Sequence, residues 1–169
     1  REELNIAQIY AYQGHYSQAL LLFNRSRATF QQQNMHFQAA EVAQQLCFCL
    51  VRLNRAQEAY DLAAETITYF RSSPEHRQSL SSQGYRHNLA HSLLYQAEAA
   101  MQLSKYSEAD AMLQEASDLL EEGGFMVLAS IVRLQQAELY FAEGKLEASQ
   151  SEAQLVADAF AAQEALPYL

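Results

Sequence analysis

At 169 residues, 50 % hydrophobic and 18 % charged, the chain has the composition of an ordered globular protein and not of a disordered segment. A compact fold of this length buries roughly 70 % of the surface that the unfolded chain exposes. The formal net charge of −9, with Lys105 and Lys145 the only lysines, disfavours nucleic-acid binding, which needs clustered cations against phosphate, and serves chiefly solubility.

Five glycines and two prolines leave little room for loops, and the good helix formers Ala, Gln, Glu and Leu dominate, so the expectation is all-α. The apolar spacing predicts eight helices. The first runs over about Glu2 to Gln13 and the second over about Ser17 to Gln33, with Asn34 as a stop. The third covers about Phe37 to Leu53 and the fourth about Ala56 to Phe70. Ser72-Ser73-Pro74-Glu75 then reads as a stop and a restart, with Ser73 as N-cap and Pro74 at the first helical position. The fifth helix, up to Leu103, is the longest or is interrupted near Gly84. The sixth spans about Tyr106 to Glu121, closed by Gly123-Gly124; the seventh about Met126 to Ala142; the eighth about Leu146 to Gln163, with Pro167 ending the pattern. Cys47 and Cys49 lie two apart in an apolar run. On a helix they point roughly 200° apart, so they neither bridge each other nor share a metal. Two buried free thiols fit a reducing compartment, the cytoplasm. No apolar run is long enough to span a membrane.

The strongest signal is an internal repeat. The turn residues Gly14, Asn54, Ser104 and Gly144 stand 40, 50 and 40 residues apart. Seven residues before each turn is a small side chain: Ala7, Cys47, Ala97, Ala137. Four before it come Tyr10, Leu50, Ala100 and Tyr140. Two after it come Tyr16, Ala56, Tyr106 and Leu146, five after it Ala19, Ala59, Ala109 and Ser149, and nine after it Phe23, Ala63, Leu113 and Ala153. Small residues let two antiparallel helices approach closely, and the large ones fill the space around them. The segments YAYQGHYSQALLLF, CLVRLNRAQEAYDLA, AMQLSKYSEADAMLQEA and LYFAEGKLEASQSEA resemble tetratricopeptide repeats. The 40-residue period resembles the longer-repeat branch, as in kinesin light chains, LGN-type adaptors, MalT-type signalling ATPases and CHAT-protease chains.

The resemblance implies an α-α superhelix of about four helical hairpins, a single solenoid domain over 1–169, with repeats near 1–34, 35–73, 85–123 and 124–165. One repeat cannot bury its apolar face alone, so neighbours stack. Ile6 and Ile9 open an apolar face, and Val156, Phe160 and Leu166 end one, where solenoid ends are ordinarily polar. The expectation is a piece of a longer chain, able to associate end to end through its terminal helices.

In such repeats the first helix of each hairpin lines a concave groove. By resemblance the groove holds Gln8 and Tyr12, then Gln44, Phe48 and Arg52, then His91, Leu94, Glu98 and Gln102, then Gln135 and Glu138. A peptide or partner helix across them would find amide donors and acceptors. The positions where chaperone-binding repeats clamp a C-terminal carboxylate carry Leu4, Gln8, Gln44, Gln45 and Glu98, with no lysine, which argues against that ligand. His87 and His91 have the i, i+4 spacing of a metal pair, but no third ligand follows, and they read as partly exposed polar residues, as His15 reads as surface; His36 and His76 have no evident partner. Glu2-Glu3, Glu121-Glu122, and Glu98 with Glu138, are carboxylate pairs without the closed pocket that acid–base chemistry needs. There is no phosphate-binding loop or nucleophile motif, so neither an enzyme nor a cofactor is expected. The expected role is a protein-interaction scaffold with a protein or peptide partner. The alternatives are a regulatory sensor segment of a larger bacterial signalling protein and a passive assembly spacer.

Overall fold

A computed structural model describes residues 2–72 and 82–164. Among them stand eight helices: α1 (Glu2–Tyr12), α2 (Tyr16–Gln32), α3 (His36–Arg52), α4 (Ala56–Ser72), α5 (Ser82–Gln102), α6 (Tyr106–Glu122), α7 (Met126–Ala142) and α8 (Leu146–Glu164). Each packs on the next, and α3 also packs on α5. This is an all-α solenoid of antiparallel hairpins. No described helix is long and apolar enough to cross a membrane.

The turns explain the period. Helices α2, α3, α4, α6 and α7 are each 17 residues long, and three residues separate α1 from α2, α2 from α3, α3 from α4 and every pair from α5 onward. The middle residue of each such turn has left-handed backbone: Gly14, Asn34, Asn54, Ser104, Gly124 and Gly144, with φ between 56° and 80°. In the first turn the Gly14 amide donates to the Ala11 carbonyl at 3.1 Å, and the His15 amide reaches back to Tyr10 at 2.8 Å. This double closure satisfies carbonyls that the helix end would leave bare, and it recurs at all six turns. Glycine takes the left-handed conformation without strain and asparagine with little; Ser104 carries a cost there. The segment between α4 and α5 breaks the 20-residue rhythm, and Ser73, Pro74 and residues up to 81 lie outside the described residues, as do Leu166 and Pro167.

Helix α5 is the longest at 21 residues and runs without interruption through Gly84. The repeat positions of the first three hairpins pack as their spacing demands, whereas in the fourth Leu146 and Ala153 are exposed. Ala7, Cys47, Ala97 and Ala137 are all buried, as are Ala19, Ala59 and Ala109. Phe23, Ala63 and Leu113 lie at 0 % exposure. Burial of a side chain the size of Phe23 or Leu113 stabilises the fold by about 1.5–3 kcal/mol. Ser149 replaces alanine at the helix contact and donates its hydroxyl to the Ala137 carbonyl at 2.8 Å, so its polar group does not go unpaired. Val156, expected on the terminal face, is instead buried.

Candidate functional site

Helices α1, α3 and α5, the first helices of three hairpins, line a cleft of about 490 Å³. Small-molecule and side-chain pockets fall in this size range. Of the residues assigned to a groove by sequence, Gln8, Tyr12, Gln44, Phe48 and His91 line this one cleft. Beside them stand Leu4, Phe30, Gln38, Glu41, Val42, Gln45, His87, Asn88 and Tyr95.

Adjacent first helices touch through corresponding positions. Phe48 of α3 lies against Tyr95 of α5, ring centroids 6.2 Å apart, and Tyr16 meets Phe48 edge-on at 5.8 Å. One repeat later the corresponding pair is Glu98 and Gln135, where the Gln135 amide donates to Glu98 Oε1 at 2.5 Å. The other oxygens of that pair, Glu98 Oε2 and Gln135 Oε1, are buried and accept no hydrogen bond from the described residues. Gln102 donates to the Val51 carbonyl at 3.0 Å and ties α5 to α3. Gln44 is buried and donates to the Asn88 carbonyl at 2.6 Å and to Ser92 Oγ at 2.9 Å. Arg52 lies over the Phe48 ring at 5.3 Å, outside the cleft lining. Leu94 is half-buried, and Glu138 is exposed on α7. Thus Glu98, Gln102, Gln135 and Glu138 do not line the cleft.

The histidine pair is more enclosed than its sequence context suggests. His87 and His91 are half-buried, their rings 4.5 Å apart, with Phe125 at 5.2 Å from His87 and Tyr95 at 6.0 Å from His91. Burial, with His87 adding to it, pushes the His91 pKa down to about 4, so this imidazole is neutral at pH 7. Burial likewise raises the Tyr95 phenol above its ordinary value and shifts the Glu41 carboxyl upward. Among the described residues no group of three metal-ligating side chains converges. Cys47 and Cys49 are buried free thiols, pushed up to about 12 and about 11 by burial, which disfavours the nucleophilic thiolate.

Sequence reasoning missed Phe30, Gln38, Glu41, Val42, Asn88 and Tyr95. Glu41 and Tyr95 were legible in principle, since Glu41 stands where His91 stands in the following repeat and Tyr95 where Gln45 stands in the preceding one. Those positions are not among the packing positions that carry the repeat signal, so nothing in the pattern marked them. Of the second helices, α2 contributes Phe30 to the cleft. The second helices are linked across repeats by Arg27–Glu65 at 2.6 Å and Arg71–Glu115 at 2.7 Å. Exposed pairs of this kind contribute about 0–1 kcal/mol each.

No protein-family model matches the chain, and no curated protein does. Among solved structures it is similar to the nearly identical TPR-like repeats of a kinesin-light-chain-type protein of Podospora anserina, at 17 % identity over 97 % of this chain and 95 % of that one, with a TM-score of 0.43.

Proposed function

We propose that the chain is a protein-interaction scaffold that takes a peptide or helical segment of a partner into the cleft of α1, α3 and α5. The observation that supports this reading is the cleft itself, whose lining combines the rings of Tyr12, Phe30, Phe48 and Tyr95 with the amides of Gln8, Gln38, Gln45 and Asn88. Rings supply contact area at low entropy cost, and amides can meet the backbone of an extended peptide. The groove residues beyond the cleft, Glu98, Gln102, Gln135 and Glu138, would extend the contact along the first helices.

The test is affinity capture on the immobilised chain, with bound proteins identified by mass spectrometry, against Phe48→Ala and Tyr95→Ala variants of unchanged helicity. A partner held by the wild type and weakened about thirtyfold or more by either variant supports the cleft, as expected for an aromatic anchor worth about 2 kcal/mol. A partner held equally by all three proteins places recognition elsewhere on the surface.

A further inference from the structure

We infer that the cleft selects a segment bearing an arginine or lysine, whose stem lies against the rings of Tyr12, Phe48 and Tyr95 and whose cationic head meets Glu41; this rests on the reading that the cleft takes a peptide. Glu41 is the one carboxylate among the cleft's lining residues, and that lining includes no lysine or arginine. The remaining polar groups are amides, phenols and two imidazoles, of which His91 is held neutral by its surroundings. A second anion in this space would meet Glu41 with no cation among the lining residues to offset it, whereas a cation meets a carboxylate and the rings of Tyr12, Phe48 and Tyr95. The protein already uses this chemistry at the cleft's edge and elsewhere. Arg52 lies over the Phe48 ring at 5.3 Å, and Lys105 over the Tyr60 ring at 4.0 Å. Glu41 is exposed on α3 and so open to an arriving cation, and the burial it does have disfavours its charged form. The net charge of −9 draws basic segments toward the chain at long range.

The test pans a phage library of random dodecapeptides on the 169-residue chain and measures the best peptide by fluorescence anisotropy. The expected outcome is a basic residue recurring at one peptide position. Exchange of that residue for citrulline, or for norleucine if it is a lysine, then weakens binding about fivefold to tenfold. Glu41→Gln weakens the basic peptide by a similar factor and leaves the exchanged peptide unchanged, so the two changes are not additive. Glu147→Gln on α8 removes the same charge far from the cleft and leaves all affinities unchanged. Peptides that bind in the cleft without a recurring basic residue, or a Glu41→Gln variant that binds the basic peptide as tightly as the wild type, overturn this inference and leave the peptide-binding reading intact. Selection of peptides with an acidic residue at that position overturns it in the same way. A panning that yields no binding peptide overturns both.

Discussion

At the scale of single residues, the cleft's electrostatics turn on groups held away from their solution behaviour. His91 is the clearest. Packed among His87, Tyr95 and the neighbouring helices, it is charged only near pH 4, whereas in the unfolded chain it takes up its proton near 6.5. Between those values the unfolded state binds a proton that the folded state refuses, so acidification favours unfolding. The stabilisation is fully present above pH 6.5 and is lost as the pH falls toward 4. Thermal melts from pH 7 to pH 4.5 should therefore show a shallower fall in Tm for His91→Gln than for the wild type. Parallel curves would mean that His91 titrates normally. None of this was visible in the sequence, where a histidine pair at i, i+4 says nothing of how deeply its neighbours bury it.

At the scale of elements, the turn decides the architecture. Three residues, the middle one left-handed, reverse the chain in the same way at Gly14, Asn34, Asn54, Ser104, Gly124 and Gly144. The side chains of the third residue and of the last-turn residue it caps stay in contact, as in His15 on Tyr10 at 6.1 Å and Lys145 over Tyr140 at 5.6 Å. A non-glycine residue in this conformation costs about 1 kcal/mol, less for asparagine. Ser104→Gly should therefore stabilise the protein by about 0.5–1 kcal/mol and Asn54→Gly by less. Gly144→Ala should destabilise it by about 1 kcal/mol from backbone strain alone, because a Cβ there meets no atom within 4 Å. Urea denaturation of the three variants checks the order; equal midpoints would show that the left-handed turn carries no cost here. These turns were legible as a recurring Gly, Asn or Ser at fixed spacing, and helix ends fell within one or two residues of their expected places, apart from the start of α5, whose expected position lies outside the described residues.

At the scale of the whole molecule, equivalent positions carry unequal burial. Ile9 is 54 % exposed, although its counterparts Cys49, Ala99 and Leu139 are at 0 %. Ile6 is 45 % exposed against 1 %, 7 % and 4 % for Leu46, Gln96 and Gln136. At the other end Ile131, Leu134 and Phe141 are exposed along one stripe of α7, and Phe160 is exposed where Phe70 and Leu120 are buried. The α1 face is of the kind that inner hairpins present backward, and the α7–α8 face of the kind they present forward. We expect two copies to associate head to tail through them, a heterologous contact. Sedimentation velocity at rising concentration should show self-association, reduced by either Ile9→Glu or Leu134→Glu. A species that stays monomeric throughout would sink the expectation.

The sequence by itself determined the all-α class, the hairpin period and the buried small residues, because these depend on side-chain spacing along single helices and on turn chemistry, both local. Of the residues it placed at first-helix positions, Gln8, Tyr12, Gln44, Phe48 and His91 line one cleft. Only the tertiary structure decided that Gln44 is spent on Asn88 and Ser92, that Glu98 and Gln135 hold each other, and that Glu41 and Tyr95 complete the cleft wall. Those outcomes depend on how adjacent first helices align. That alignment follows from the packing of whole hairpins, not from the pattern within any one helix.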